Sequence, residues 1–166
     1  MKAELDFTTL PKRKTIRGIS FLLDPFGTYT PEFREKAESK IKIRKPSDCL
    51  PLLHQLRSES QEHFMVITLD SAHQVIKSHT ITRGLVNQCQ IHPREVFRAA
   101  IEDMAVSIIV AHNHPSGNLD PSPDDMMATR RLSEASKTIG IKLLDHFIVA
   151  ETGFTSLMDL YPMYFS

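Results

Sequence analysis

The sequence predicts an α/β fold in which a mixed β-sheet is flanked by helices. Apolar stretches of strand length alternate with stretches whose apolar residues recur at helical spacing, in the order hairpin, helix, buried strand, helix, strand. The composition, with 41% hydrophobic and 24% charged residues among 166, is typical of a chain that buries a core and keeps a polar surface. Disorder of the whole chain is therefore excluded.

Charge divides the sequence into two parts. Residues 1–46 carry 11 Lys and Arg against 6 Asp and Glu, whereas residues 47–166 carry 9 against 14. We expect the first part to be a basic, weakly structured N-terminal arm, with a short helical piece that starts at Thr30 and Pro31, and the second to be the folded domain. A basic arm can contact nucleic acid weakly, although a solvated segment is the simpler interpretation.

The cysteine count and the hydropathy indicate in which cellular compartment the protein is expected. Cys49 and Cys89 stand forty residues apart, so neither a disulfide framework nor a paired-cysteine metal site is expected. No apolar run reaches the ~18 residues that cross a bilayer, and the first residues lack the apolar stretch of a secretory signal. We therefore expect a cytoplasmic protein with reduced thiols and no membrane contact.

The domain opens with a helix and a hairpin. Residues 47–58 have leucines at helical spacing, with Ser47 as the candidate cap. Residues 62–69 are β-rich and apolar, and residues 74–82 follow after a turn at residues 70–73. The sequence thus predicts two antiparallel strands.

A second helix begins at Pro93. Its charged residues Glu95, Arg98 and Glu102 lie at i+3 and i+4 spacing on one side. The opposite side is predicted to be an apolar stripe of Val96, Phe97, Ala100, Ile101 and Met104. This helix should pack against the sheet.

The last third of the chain alternates strand and helix. Residues 106–111 form a continuous apolar run, the pattern of a strand that is buried on both faces. A helix then begins with Ser122 as its cap and ends at Gly140, and residues 141–150 return as a strand. Residues 154–157 are compatible with a short final strand.

Two histidines follow the buried strand directly. His112 and His114 stand where the strand ends. We expect residues at i and i+2 of an extended segment to face opposite sides, so the two imidazoles should converge only because Pro115 and Gly117 permit the backbone to bend there. Imidazole nitrogen suits zinc, and a catalytic zinc site typically has three protein ligands and a water molecule. A third ligand is therefore required.

Asp125 is the best candidate for this third ligand. On the following helix it borders an apolar stripe, whereas its neighbour Asp124 lies toward the charged side; the stripe consists of Ala128, Leu132, Ala135 and Ile139. A carboxylate that points inward needs a partner, and a bound dication would supply one. Two other interpretations stay open, since Ser122 and Asp125 also have the spacing of a capping box and paired histidines often have no ligand.

These residues resemble a known family. The motif is similar to that of the JAMM (JAB/MPN+) zinc metalloproteases: His112-x-His114-Pro115-x6-Ser122-x2-Asp125. The sequence around this motif resembles that of the bacterial RadC-like branch in five segments: HPREVFRAA, AHNHPSG, PSPDD, TRRL and LLDHFIVA. The resemblance covers about residues 47–157. It implies a cytidine-deaminase-like three-layer JAB/MPN architecture and one Zn²⁺ ion held by His112, His114, Asp125 and water.

The resemblance also implies an activity. A glutamate on the first core strand acts as general base in this family, and Glu62 occupies that place at the head of the 62–69 strand. Ser122 would stabilise the tetrahedral intermediate while zinc-activated water attacks a peptide or isopeptide carbonyl. A solvated carboxylate at the start of a strand is the alternative for Glu62.

Three features depart from this pattern or leave a role open. Asn113 stands where the deubiquitinating relatives usually carry Ser or Thr, so their substrate cannot be transferred to this chain. Residues 1–46 do not resemble the helical N-terminal region of full-length RadC proteins. Asp145 and His146 belong to the branch pattern, and His146 is either a satisfied core residue or a support of the zinc ligands.

Rival activities lack their signatures. The letters HNH are adjacent here, whereas HNH nucleases spread them over a ββα unit. No Pro-Cys-x-x-Cys of a nucleobase deaminase and no His-Glu-x-x-His of a zincin occurs in the sequence. The serious alternative is a metal-binding module, associated with DNA repair or with protein interaction, that has no protease activity.

Overall fold

The computed structural model describes five stretches of the chain: residues 13–16, 19–23, 29–32, 41–84 and 91–165. The chain divides into two compact units, Met1–Ser39 and Lys40–Ser166. We describe each unit by itself.

The first unit contains an antiparallel sheet of three short strands. They are β1 (Arg13–Ile16), β2 (Ile19–Leu23) and β3 (Tyr29–Glu32), in the order β1-β2-β3. Thr30 and Pro31, the expected start of a helix, lie in β3, and the rest of that piece, residues 33–38, lies outside the described residues. The division of the chain at residue 46 stays a prediction.

The second unit alternates strands and helices. In chain order its elements are a helical segment (Pro46–Cys49, α1 at Leu50–Leu53, and His54–Leu56), β4 (Glu62–Leu69), β5 (Val75–Gly84), α2 (Pro93–Glu102), β6 (Ser107–Asn113), α3 (Pro123–Ile139), β7 (Lys142–Ala150), β8 (Gly153–Ser156), α4 (Leu157–Leu160) and a final turn (Pro162–Tyr164).

Five of these strands form one mixed sheet in the order β5-β4-β6-β7-β8. β4 is antiparallel to both β5 and β6, and β7 is antiparallel to β8. β6 and β7 are parallel, so their carboxyl ends, at Asn113 and Ala150, lie at the same edge. The predicted mixed sheet and the predicted hairpin are confirmed.

Helices cover both faces of this sheet, which gives three layers. On one face, Val96 and Phe97 of α2 and Leu132 of α3 pack in a core with Phe64 and Val110. On the other face, the helical segment packs through a separate core of buried residues that includes Cys49, Leu53, Leu56, Met65, Ile67, Ala111, Phe147 and Val149. The architecture agrees with the α/β fold that the sequence predicts.

The apolar stripe of α2 is shorter than expected. Val96, Phe97 and Ala100 are buried, but Ile101 is 58% exposed and Met104 is 87% exposed. The helix ends at Glu102, and Met104 has a left-handed φ of 52° in the turn that follows, so it leaves the helical face. The exposed ion pair of Arg98 with Glu102 forms as predicted.

The buried face of α3 also differs from the expected stripe. It is made by Thr129, Leu132, Ser133 and Ser136, whereas Ile139 is 41% exposed. A prediction from apolar residues alone therefore placed the buried face too far from Asp125, because three of the four buried residues are polar. The helix is N-capped by Ser122 and ends at Gly140 with φ 81°, as predicted.

Within the described ranges, no helix has both the length and the apolar character that spanning a bilayer requires.

Candidate metal centre

The two histidines of the motif converge at the carboxyl end of β6. Their Nε2 atoms are 3.0 Å apart, and the side chain of His112 is 1% exposed. The expectation that residues i and i+2 face opposite sides is wrong: they face the same side of a sheet, so strand alternation accounts for this convergence. The bend that the sequence places at Pro115 and Gly117 follows the second histidine and is not its cause; Gly117, with φ 83°, donates its N–H to the carbonyl of His114.

Asp125 reaches the same point from the first turn of α3. Its Oδ1 lies 3.0 Å from His112 Nε2, and its Oδ2 lies 3.4 Å from His114 Nε2. The helix start directs this carboxylate inward, because Asp125 shares the buried face with Thr129 one turn later. Among the described residues, these three are the only His, Cys, Asp and Glu side chains grouped closely enough to hold a metal ion.

The size of this triangle suits a small divalent cation. Ligand atoms around a tetrahedral zinc ion lie about 2.0–2.1 Å from it, and hence about 3.3 Å from one another. The three separations given above are of that order, although the two that involve Asp125 end on different oxygens of its carboxylate. Two imidazoles and one carboxylate are also donors that zinc accepts readily.

The other contacts of His114 and Asp125 leave lone pairs on the atoms that face the candidate cation position. His114 Nδ1 lies 2.7 Å from the carbonyl oxygen of Asn118, which can only accept, so Nδ1 is the donor and the neutral ring has a free lone pair on Nε2. Asp125 Oδ2 accepts from the N–H and the hydroxyl of Ser122 at 2.8 and 2.7 Å. Asp125 Oδ1 therefore remains directed at His112, and the donor set fits a cation.

Electrostatics agree with this interpretation. Burial by itself would raise the pKa of the Asp125 carboxyl, but the neighbouring imidazoles of His112 and His114 hold that pKa well below its usual range. The Asp125 carboxylate in turn raises the pKa of His114, and the negative charge of Glu62 adds to that rise. The site thus concentrates negative charge where a cation would lie.

Ser122 has the role that its capping-box spacing indicated. Its Oγ accepts from the N–H of Asp125 at 3.2 Å while its own hydroxyl and N–H hold the carboxylate. The capping box and the candidate metal ligand are therefore the same aspartate, and the two interpretations that the sequence left open are compatible.

His112 also has a buried partner behind it. Its Nδ1 lies 2.9 Å from Nε2 of His146 on β7, and His146 Nδ1 lies 2.7 Å from the hydroxyl of Thr129. Burial lowers the pKa of His146 well below its usual range, and the nearby His112 lowers it further. Sequence reasoning missed Thr129, although its position one turn after Asp125 was a usable signal.

Glu62 lies on the same face of the sheet as the histidines. Phe64 pairs with His112 across β4 and β6, and their rings are stacked with centroids 6.1 Å apart. Glu62 precedes Phe64 by two residues and therefore shares its face, and the register continued past the end of β6 sets Glu62 opposite His114. Its half-buried carboxylate is close enough to act on the pKa of His114.

Asn113 faces the opposite side and fixes the start of β4. Its Oδ1 accepts from the N–H of His63 at 2.7 Å, and its Nδ2 donates to the carbonyls of Glu59 and Gln61 at 3.1 and 2.9 Å. The side chain is buried and so is its bond to His63, whereas the two bonds to Glu59 and Gln61 are partly buried. Backbone pairing between β4 and β6 begins only at Phe64, so the Asn113 side chain holds the preceding residues 59–63 in its place.

An open cleft lies beside the site at this edge of the sheet. It has a volume of about 810 Å³ and is lined by His54, by residues 57–60, by residues 113–117 and by residues 149–151. Arg57 closes one side by donating to the carbonyl of Glu151. Ligands of α/β proteins commonly bind at the carboxyl ends of parallel strands, and β6 and β7 end here.

Comparison with known proteins agrees with the fold and the motif. Residues 43–161 match the family described as RadC-like JAB domain. The chain is 50% identical over 125 residues to a UPF0758 protein of Methanospirillum hungatei, 45% over 128 residues to one of Clostridium perfringens, and 44% over 132 residues to one of Staphylococcus haemolyticus.

These matches cover 74%, 76% and 79% of this chain and 56% of each relative. The chain therefore spans little more than half the length of the curated relatives that it matches. The fold and the candidate centre define a JAB-type domain with a site that could hold a metal ion. The chain belongs to the RadC-like JAB domain family.

Proposed function

We propose that the chain is a zinc-dependent metallopeptidase or isopeptidase that hydrolyses an amide bond. One observation supports this most directly: His112, His114 and Asp125 converge on one point, with Glu62 on the same face and an open cleft that reaches His114. A closed structural site would have a fourth protein ligand, and among the described residues these three alone are grouped.

His112, His114 and Asp125 would hold the zinc ion. When bound, zinc supplies Lewis acidity, which polarises a carbonyl and makes water acidic enough to deprotonate near neutral pH. The protein supplies the orientation, because the other nitrogen of each imidazole and the second oxygen of Asp125 are already engaged.

Glu62 would move the proton. We propose that its carboxylate accepts a proton from the attacking water and then delivers it to the leaving nitrogen, so one residue serves as base and acid. Ser122 would donate its hydroxyl to the developing oxyanion, which requires that hydroxyl to leave Asp125 Oδ2 during the reaction.

The cleft is the proposed substrate site. It is open, and residues 113–117 and 149–151, which follow β6 and end β7, line it, so we propose a peptide or isopeptide segment as the substrate class. We also propose a cytoplasmic location, since the sequence has no disulfide framework.

The test combines metal analysis with a search for cleaved bonds. The wild-type protein, Glu62→Gln and the matched control Glu134→Gln, an exposed glutamate of α3, are assayed for zinc content and incubated with a peptide and isopeptide library. We expect all three to contain zinc and Glu62→Gln to cleave about 10²–10⁴-fold more slowly. Cleavage by Glu62→Gln at the wild-type rate, or a zinc-loaded wild type that cleaves nothing in the library, would contradict the proposal.

The alternative is a metal-binding module that contacts DNA without hydrolysing amides. The net positive charge of residues 1–46 favours it. A triple variant, Lys12→Gln with Arg13→Gln and Lys14→Gln, separates the two. Under the alternative it loses affinity for duplex DNA in an anisotropy titration, whereas the peptidase proposal predicts unchanged cleavage.

A further inference from the structure

His146 lies in the middle of β7 and is completely buried, yet it is not a candidate metal ligand. Each of its ring nitrogens has one partner: Nε2 faces His112 Nδ1 at 2.9 Å, and Nδ1 faces Thr129 Oγ1 at 2.7 Å. The ring therefore stands between β6, which carries one candidate ligand, and α3, which carries another.

The direction of these hydrogen bonds follows from counting hydrogens. The Thr129 hydroxyl has one hydrogen and lies 2.7 Å from the backbone carbonyl oxygen of Asp125, which can only accept. Thr129 therefore donates to Asp125 and must accept from His146 Nδ1. The remaining nitrogen of a neutral His146, Nε2, is then an acceptor that faces His112.

A cation at the candidate centre fits only one placement of hydrogens on the rings of His112 and His146. His112 would bind the cation through the lone pair of Nε2, so its single hydrogen would be on Nδ1, and His146 Nε2 is the acceptor within reach. Imidazoles that bind metals commonly donate their other N–H to such a partner, which fixes the tautomer and the ring orientation. Here the partner is a second imidazole.

The hydrogen-bonded chain also closes a loop around the centre. It leads from His112 through His146 and Thr129 to the backbone of Asp125, whose own carboxylate lies 3.0 Å from His112 Nε2. The separation between β6 and α3 at the metal centre is thereby set by β7, which contributes no ligand.

We propose that His146 and Thr129 are positioning residues that hold His112 Nε2 and Asp125 at the spacing and in the protonation pattern that a zinc-like divalent cation needs. This inference rests on the metal site of the proposed function, but it does not require amide hydrolysis. It accounts for a fully buried histidine in an apolar strand and for a threonine on the buried face of α3.

Thr129 allows a conservative test in the full chain. Thr129→Val keeps the shape and removes the hydroxyl, whereas Thr129→Ser keeps the hydroxyl. Ser133→Ala, one turn later on the same buried face, is the matched control. His146→Leu removes the middle residue of the hydrogen-bonded series His112–His146–Thr129. The measurements are the dissociation constant of Zn²⁺ by chelator competition and the visible absorption spectrum of bound Co²⁺.

We expect Thr129→Val and His146→Leu to weaken zinc binding by about 10–100-fold and to change the Co²⁺ spectrum, because outer partners of metal-bound histidines have effects of that size. Thr129→Ser and Ser133→Ala should keep the wild-type affinity and spectrum. A residue with a merely structural role would lower thermal stability without moving either readout.

Wild-type affinity and an unchanged spectrum in Thr129→Val would overturn the inference, as would a wild-type protein that binds no metal. If His146→Leu does not fold, the comparison of Thr129→Val with Thr129→Ser still tests the inference. Loss of zinc affinity in these variants together with a wild type that cleaves no amide would leave the positioning role standing and remove the proposed peptidase.

Discussion

Asn113 holds both peptide groups that flank Glu62, since it bonds the carbonyl of Gln61 and the N–H of His63. Asn113 itself lies between the two candidate histidine ligands. The direction in which Glu62 leaves the backbone is therefore fixed relative to the metal centre by a single buried carboxamide.

Replacing Asn113 by Asp should destabilise the protein. The substitution keeps the shape, removes both N–H donors and leaves the carbonyls of Glu59 and Gln61 facing a buried negative charge. We expect the free energy of unfolding, measured by urea denaturation at pH 7, to fall by roughly 2–5 kcal/mol. The control is Asn118→Asp at an exposed position where the side chain only accepts, and it should change little. Equal effects of the two substitutions would contradict this account.

Asp125 should be required for metal binding, and its neighbour should not. Asp125→Asn removes the charged ligand, whereas Asp124→Asn removes an exposed charge from the same helical turn. Loss of an outer partner already lowers metal affinity about 10–100-fold, so loss of this ligand should lower zinc affinity by roughly 100-fold or more. Chelator competition measures both variants, and similar constants for the two would exclude Asp125 as a ligand.

Zinc should stabilise the folded chain. A ligand that binds only the native state adds about 2.7 kcal/mol to the free energy of unfolding when its concentration is 100 times its dissociation constant. Urea denaturation with zinc and with a chelator should show this difference in the wild type and much less of it in Asp125→Asn. Identical curves for the wild type under both conditions would speak against a native metal site.

Asp145 should make stability fall as pH rises. This buried carboxyl of β7 accepts from the Ser156 hydroxyl and from the N–H of Met158, and burial raises its pKa to about 6. Because the folded-state pKa lies above the ordinary value, the favourable contribution is complete below about pH 4 and is lost by about pH 6.

The test compares the wild type with Asp145→Asn, which cannot titrate. The free energy of unfolding of the wild type relative to the variant should drop by up to about 3 kcal/mol between pH 4 and pH 7. The candidate metal site is the same in both proteins, so its own pH dependence cancels in the difference. A difference that stays constant over this range would contradict the raised pKa.

Local chemistry predicted much of the fold. The strand at Glu62–Leu69 has the bounds that its apolar run indicated, and α3 begins and ends at its predicted caps, Ser122 and Gly140. These features depend on a residue and its chain neighbours, which is why a sequence reveals them. Periodicity failed where burial depends on other elements: Ile101 and Ile139 are exposed, and Thr129 is buried.

The candidate site likewise has features that the sequence predicts and features that only the tertiary structure shows. The sequence by itself determined which side chains meet, namely His112, His114 and Asp125. It predicted that a bend brings the histidines together, whereas their shared face of the strand does so. Tertiary structure alone decided what supports them, because the contacts of His146 with Thr129 and of Asn113 with the start of β4 join segments distant in the chain. Buried polar groups need partners, and only the folded chain shows which partner each one finds.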